Sequence, residues 1–167
     1  MTAIERDVLE RIGGTAMLAL RLVVPRNGPR ILEKLEFENP TGSMKEHMAL
    51  AMVEAAETDG CLSPSVSVVE YTGGSTRVLL ALVCAVKGHA LRIVSSDSFA
   101  REKLVHMKVL SARLDDVPSE GGRMTAALTR AMIEAARGIA AETGGFWTDQ
   151  LNNTDQLGAY RAMAEEV

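Results

Sequence analysis

A lysine in a glycine-containing turn is the residue of this chain with the clearest chemical potential. Residues 39–47, N-P-T-G-S-M-K-E-H, join an extended run to a helical one. The proline and glycine predict a turn between the two runs. Ser43 and Glu46 have the spacing of a capping box, in which each side chain bonds the other residue's free backbone N–H. This pattern places Lys45 in the first turn of the helix.

A lysine at that position has two interpretations. The positive end of a helix dipole disfavours a cation, so the position favours a neutral, nucleophilic amine. Such an amine at a loop–helix junction suits Schiff-base chemistry with a carbonyl compound. The alternative interpretation of Lys45 is an ordinary solvated surface lysine.

A second candidate stretch, E-Y-T-G-G-S-T at residues 70–76, joins a predicted strand to a helix. Its glycines let the backbone approach a ligand closely, and the N–H groups at the helix start favour a carboxylate or a phosphate. The stretch has neither the G-K-[ST] ending of a phosphate-binding P-loop nor the G-x-G-x-x-G spacing of dinucleotide folds. A plain helix-capping turn is the alternative.

Composition narrows the possible functions. The chain has 167 residues, 47% of them hydrophobic, which suits one domain or one and a fraction. Its net charge of -4, with no basic patch interleaved with aromatic residues, argues against a nucleic-acid partner. The longest apolar run, Val78 to Val86, is too short to span a membrane. Two cysteines and three unclustered histidines predict neither a disulfide framework nor a metal site, and we expect a cytoplasmic protein.

The remaining elements must position these two stretches. Residues 1–11 predict a short amphipathic helix, followed by extended segments at Met17–Val24 and Ile31–Glu38. Predicted strands lie at residues 66–70, 90–94, 112–117 and 146–148. Predicted helices lie at Ser43–Thr58, Thr76–Lys87, Phe99–Leu110 and Met124–Thr143, with a last helix from Asp155. This alternation predicts an α/β fold of three layers around a mainly parallel, four-stranded sheet.

Together the two stretches resemble the cysteine synthase and cystathionine β-synthase family, pyridoxal-phosphate enzymes of the tryptophan synthase β-like fold. Residues 39–47 resemble the family's N-P-[TG]-G-S-x-K-D-R, and residues 70–77 resemble its E-P-T-S-G-N-T-G. I-G-G-T at residues 12–15 resembles the early I-G-x-T-P-L, and D-Q-L-N-N at residues 149–153 resembles Q-Q-F-x-N. The order, the spacing of the two main motifs and their strand–helix contexts also agree.

The resemblance implies a role for each site residue. Lys45 would form a Schiff base with pyridoxal phosphate and then move the proton on the substrate Cα. Thr72, Gly74 and Thr76 would hold the substrate α-carboxylate through backbone and hydroxyl donors. Gln150 would reach the same carboxylate.

Three residues depart from the family's pattern. Ser75 stands where the family has an asparagine that bonds the cofactor ring oxygen, and its hydroxyl would replace that bond with a shorter reach. Gly73 replaces a serine, which removes one donor from the substrate loop. Arg77 replaces a glycine, and it would either pair with an anionic substrate or crowd the site.

The resemblance matches only about the first half of the family's length. It assigns residues 1–40 and 151–167 to an incomplete larger domain, and residues 41–150 to the smaller α/β domain. The phosphate-binding glycine loop and the residue facing the pyridine nitrogen come later in the family. We therefore expect weak cofactor binding. The remaining strands of the larger domain also come later in the family, so we expect the segments Met17–Val24 and Ile31–Glu38 to lack strand partners. Their apolar residues would then be exposed, namely Leu18, Leu20, Leu22, Val23 and Phe37.

The implied function is β-replacement or β-elimination on a small, serine-derived amino acid, in a homodimer. Two alternatives stay open: a non-catalytic α/β module, and an anion-binding domain that uses only the loop at residues 72–76.

Overall fold

A parallel sheet of four strands forms the centre of the computed structural model, which describes residues 7–99 and 110–167. The four strands of this sheet are β3 Val68–Tyr71, β4 Leu91–Ser95, β5 Arg113–Asp116 and β6 Phe146–Trp147. Two further strands, β1 Met17–Ala19 and β2 Leu32–Lys34, lie outside it. The helices are α1 Glu46–Thr58, α2 Thr76–Lys87, α3 Ala126–Thr143 and α4 Gln156–Glu165. The central sheet has the order β5-β4-β3-β6 with every pair parallel, which confirms the predicted fold class.

Apolar layers cover both faces of this sheet, as is usual for parallel sheets, whose strands are buried on both sides. One layer lies under α1 and α2 and includes Val53, Leu80 and Ile93. The other lies under α3 and includes Val69 and Met132. All four residues of β3 are buried, including the carboxylate-bearing Glu70.

Helix α2 confirms its predicted stop signal, whereas helix α3 differs from the prediction at its start. The helix α2 has the predicted bounds and ends at Gly88, whose φ of 80° is the left-handed conformation that glycine adopts without strain. The helix α3 begins two residues later than predicted, because the Thr125 hydroxyl accepts a hydrogen bond from the Leu128 N–H at 3.1 Å and so caps the helix there.

The N-terminal segments are less regular than predicted. Strands β1 and β2 are three residues each and pair with each other in antiparallel fashion, so the expectation that both would lack a strand partner is wrong. The side chains of Leu18, Leu22, Val23 and Phe37 are exposed, as expected, whereas Leu20 is half-buried.

Two predicted helices fall partly or wholly outside the described residues. Of the helix predicted over residues 1–11, the structure describes a single 3₁₀ turn at Val8–Arg11, and residues 1–6 lie outside the description. The helix predicted over Phe99–Leu110 lies almost entirely in residues 100–109, which are also outside it. Among the described helices, none combines the length and the apolar character needed to cross a membrane.

Candidate active site

Lys45 is held at the start of α1 by a modified version of the predicted cap. The helix begins at Glu46 rather than at Ser43. The Glu46 carboxylate accepts hydrogen bonds from the backbone N–H groups of Thr41 at 2.7 Å and Ser43 at 3.4 Å, so it reaches back as a capping box requires. The Ser43 hydroxyl, however, accepts from the Lys45 N–H at 3.2 Å and not from Glu46. The turn therefore fixes the backbone of Lys45 and leaves its side chain exposed.

The amine of Lys45 has no hydrogen-bond or ion-pair partner among the described residues. The other two lysines in those residues are engaged in ion pairs. Lys34 lies 2.6 Å from the Glu166 carboxylate, and Lys87 lies 2.8 Å from that of Glu57. Lys45 is thus the described lysine whose amine is available to a ligand.

Ion pairs at the far ends of α1 and α2 establish how these two helices run. Glu57, near the end of α1, contacts Lys87 at the end of α2, and it also lies 2.8 Å from His89 just beyond it. The two helices pack against each other and have nearly equal lengths, 13 and 12 residues. Their N-terminal ends therefore lie at the same end of the pair. This places Lys45 and the loop before α2 at the same end of the helix pair. Packed helix axes lie roughly 8–10 Å apart.

The position of His47, two residues after Lys45, predicts a surface side chain, and this prediction is wrong because the residue is buried. Its Nε2 lies 3.0 Å from the Glu36 carboxylate, which also binds the side-chain amide of Asn39 at 2.8 Å. The ring also lies against Gly13, where a Cβ would come within 3.0 Å of it. The network ties the turn before Lys45 to the N-terminal segment.

The substrate loop, defined as Thr72–Thr76, connects β3 to α2 at the carboxyl edge of the sheet. The Thr76 hydroxyl donates to the Gln150 side-chain oxygen at 2.8 Å, and the Gln150 amide donates to the Tyr71 carbonyl at 3.2 Å. The Gly74 N–H donates to the Thr72 hydroxyl at 3.1 Å. The structure thus brings Gln150 to the loop, and the family resemblance assigns both to the same substrate carboxylate. Ser75 is exposed, and its hydroxyl makes no cap hydrogen bond.

Glu70 organises this part of the site, a role that neither the sequence prediction nor the family resemblance indicated. Its fully buried carboxylate accepts hydrogen bonds from the backbone N–H groups of Tyr71 at 2.8 Å and Gln150 at 3.0 Å, and also from the Thr148 hydroxyl. These bonds hold the chain that follows β6 against the end of β3. An acidic residue inside an apolar strand was the available signal, since a buried carboxylate requires several donors.

Burial raises the pKa of Glu70 above its ordinary value of 4.5, and the hydrogen bond from Thr148 and those from backbone N–H groups only partly offset this. A raised folded-state pKa stabilises the fold at low pH, and this contribution is lost as the pH rises through the folded pKa. The quantity to compare is the free energy of unfolding of the natural chain minus that of Glu70→Gln. We expect this difference to decrease as the pH rises from about 4. Urea unfolding of both proteins between pH 4 and 8 measures the difference, and a difference that grows with pH would contradict the assignment.

An aromatic ring explains why residue 73 is a glycine. A Cβ on Gly73 would lie 1.7 Å from the Phe99 ring, which occupies the space above the loop. The same ring has the guanidinium carbon of Arg77 at 5.9 Å from its centroid. The serine that the family carries at position 73 cannot coexist with this position of the ring. The sequence did not reveal the contact, because Phe99 belongs to the segment after β4, 26 positions from Gly73.

The contact between residues 73 and 99 predicts a strong coupling. Gly73→Ala should reduce the stability of the natural chain by about 1–3 kcal/mol, because the new methyl group overpacks against the ring. In a Phe99→Ala background the same substitution should cost little, since the ring is gone. A double-mutant cycle by urea unfolding measures the coupling. Additive effects of the two substitutions would contradict it.

Comparison with known proteins agrees with this geometry. The family model described as "Pyridoxal-phosphate dependent enzyme" matches residues 8–167. The chain belongs to this family. It is 35% identical to a cysteine synthase of Staphylococcus aureus over 147 residues, 88% of this chain and 46% of that protein. It is 33% identical to cysteine synthase B of Escherichia coli, over 87% of this chain and 46% of that protein. The chain spans about half the length of the curated relatives it matches.

Solved structures of this family have the same fold. A cysteine synthase from Entamoeba histolytica superposes with a TM-score of 0.86 and 31% identity, over 98% of this chain and 48% of that one. A hydrogen sulfide-producing enzyme from Fusobacterium nucleatum superposes with a TM-score of 0.85 and 28% identity, over 99% of this chain and 53% of that one. These matches confirm the resemblance noted in the sequence and the tryptophan synthase β-like type of fold.

The family's cofactor is pyridoxal phosphate, and the residues present fit part of it. The exposed, unpartnered amine of Lys45 fits the attachment point of the cofactor aldehyde. The exposed hydroxyl of Ser75, which makes no cap hydrogen bond, fits a hydrogen bond to the cofactor ring. Among residues 7–99 and 110–167, Thr72–Thr76 is the glycine loop whose following backbone N–H groups lie at a helix start. Such a loop suits a carboxylate.

Proposed function

We propose that this chain carries the lysine and the substrate-carboxylate loop of a pyridoxal-phosphate-dependent enzyme acting on a serine-derived amino acid. The reaction class would be β-replacement or β-elimination, as in a cysteine synthase. The observation that carries the proposal is the available amine of Lys45 at the same end of the α1–α2 pair as the substrate loop. The names of the relatives support the same class.

Each residue has a defined task in this proposal. The substrate loop binds the α-carboxylate through the N–H groups at the start of α2, and the Thr76 hydroxyl positions Gln150 by donating to its side-chain oxygen. Gln150 uses its oxygen on Thr76 and one amide N–H on the Tyr71 carbonyl, which leaves the second N–H for the carboxylate. Lys45 removes and returns the proton on the substrate Cα. When bound, pyridoxal phosphate supplies the electron sink for this chemistry.

The proposal is tested by titrating the chain with pyridoxal phosphate and then assaying O-acetyl-L-serine with sulfide. We expect saturable cofactor uptake, because the exposed Lys45 amine is available to the cofactor aldehyde. A chain that takes up no cofactor and binds no amino acid would be an α/β module without this function.

The proposal also includes a homodimer in the cytoplasm. Exposed apolar side chains support self-association, because Leu22 is fully exposed and Val23 and Phe37 are mostly so. A reducing compartment suits Cys61, which is an exposed free cysteine, and Cys84, a buried one whose thiol pKa burial raises to about 12.

A further inference from the structure

Arg77 is a fully buried cation that has no counter-charge among residues 7–99 and 110–167. Its relative exposure is 0%, yet none of its three guanidinium nitrogens has a hydrogen-bond partner in the part of the chain that the structure describes. Burial lowers its pKa, and its place in the first turn of α2 puts a positive charge at the positive end of the helix dipole. A buried, unpaired charge is costly to a fold. A bound anion would supply the counter-charge that the Arg77 guanidinium lacks among the described residues.

The surroundings of Arg77 place that anion beside the substrate loop. The guanidinium carbon lies 5.9 Å from the Phe99 ring centroid, and the same ring covers Gly73 of the loop. Phe99 follows β4, whereas Gln150 follows β6, and β3 lies between these two strands. The loop is thus flanked by Gln150 on one side and by the Phe99–Arg77 pair on the other.

We propose that Arg77 binds a second anionic group of the substrate, on the Phe99 side of the loop. The ligand class is an α-amino acid whose β-substituent ends in a phosphate or a carboxylate. The inference rests on the proposed function, because the α-carboxylate of the same molecule would occupy the loop. Arg77 stands where the resembling family has a glycine, so this preference would be a property of this chain.

The Arg77 guanidinium and the neighbouring Phe99 ring both suit binding of a second anionic group. A guanidinium presents its N–H donors in a planar fork that matches phosphate and carboxylate oxygens. The ring of Phe99 is half-buried, and Gly73 has no side chain to obstruct its movement. Movement of the ring would open the guanidinium to the anion, which then supplies the missing counter-charge in a site of low dielectric.

The test measures binding of three amino acids by calorimetry to the full chain, with and without pyridoxal phosphate. O-Phospho-L-serine and O-succinyl-L-serine carry the second anion, and O-acetyl-L-serine lacks it. We expect the two dianionic ligands to bind about tenfold more tightly or better, a ratio typical of a charge-assisted hydrogen bond. A preference for phosphate alone or carboxylate alone identifies which anion the site takes.

Substitutions separate the anion site from a structural role. Arg77→Gln and Arg77→Gly should reduce the preference to less than about threefold. The ligand-free melting temperature of Arg77→Gln should equal or exceed that of the natural chain, because an unpaired buried charge is removed. Arg137→Gln is the matched control, since Arg137 also lies over an aromatic ring, that of Trp147 at 5.3 Å, but is exposed, and it should keep the full preference.

The outcomes distinguish this inference from the function on which it rests. Cofactor uptake with equal binding of all three ligands would overturn the anion site alone. A preference that persists in Arg77→Gln, or a large fall in its ligand-free melting temperature, would also overturn it. Preference for the dianionic ligands without cofactor uptake would overturn the proposed function but support the anion site. Binding of no amino acid would overturn both.

Discussion

Lys45→Ala is expected to abolish covalent capture of pyridoxal phosphate and to lower turnover by about 10²–10⁴-fold, the usual contribution of a positioned acid–base group. The physical reason is that the Lys45 amine is exposed and unpartnered, whereas Lys34 and Lys87 are held in ion pairs. Absorbance of the lysine-linked cofactor and the rate with O-acetyl-L-serine and sulfide are the two measurements.

Two controls separate chemistry from folding in that experiment. Lys87→Ala removes an ion-paired lysine from the far end of α2 and should leave cofactor capture unchanged. The Lys45 side chain is exposed, so Lys45→Ala should keep the free energy of unfolding within about 0.5 kcal/mol. Partial recovery of turnover by an added primary amine would support the role. Undiminished capture by Lys45→Ala would show that another lysine binds the cofactor.

Glu70→Ala is expected to cause the largest loss of stability of any substitution near the site. The change leaves two buried donors, of Tyr71 and Thr148, and one partly buried donor, of Gln150, without their acceptor. Each unsatisfied buried donor costs about 1–3 kcal/mol, so the total is about 3 kcal/mol or more, a large part of the 5–15 kcal/mol typical of a folded domain. Urea unfolding of the natural and variant chains measures the loss.

A matched substitution shows whether burial is the cause. Glu54→Ala removes another glutamate, one whose side chain is 54% exposed and pairs with Lys87 at 3.3 Å. An exposed ion pair contributes at most about 1 kcal/mol, so this variant should unfold nearly as the natural chain does. Equal effects of the two substitutions would contradict the organising role of Glu70.

The sequence predicted the central sheet well because its signals were local. Apolar strands followed by glycine turns and by helices of ten or more residues allow one arrangement, a parallel sheet covered on both faces. The bounds of α2 were correct because a glycine loop precedes it and Gly88 ends it. The family resemblance assigned Thr76 and Gln150 to the same carboxylate, and no local pattern relates these two residues, which are 74 positions apart in the sequence.

What the sequence missed depends on contacts between distant segments. His47 is buried because Glu36 supplies a partner from another element, and the sequence does not show that pairing. The short strands β1 and β2 pair with each other because the turn between them brings them together, which two isolated extended runs do not reveal. Phe99 over Gly73, and the burial of Arg77, follow from the position of β4 beside β3 in the sheet.

The most direct test of the account is to identify which lysine carries the cofactor. The chain is mixed with pyridoxal phosphate, reduced with borohydride, digested and mapped by mass spectrometry. Of the five lysines in the sequence, we predict that the pyridoxyl group lies on Lys45 and that substoichiometric cofactor modifies no other lysine. Modification of Lys34, Lys87, Lys103 or Lys108 in preference to Lys45 would contradict the account.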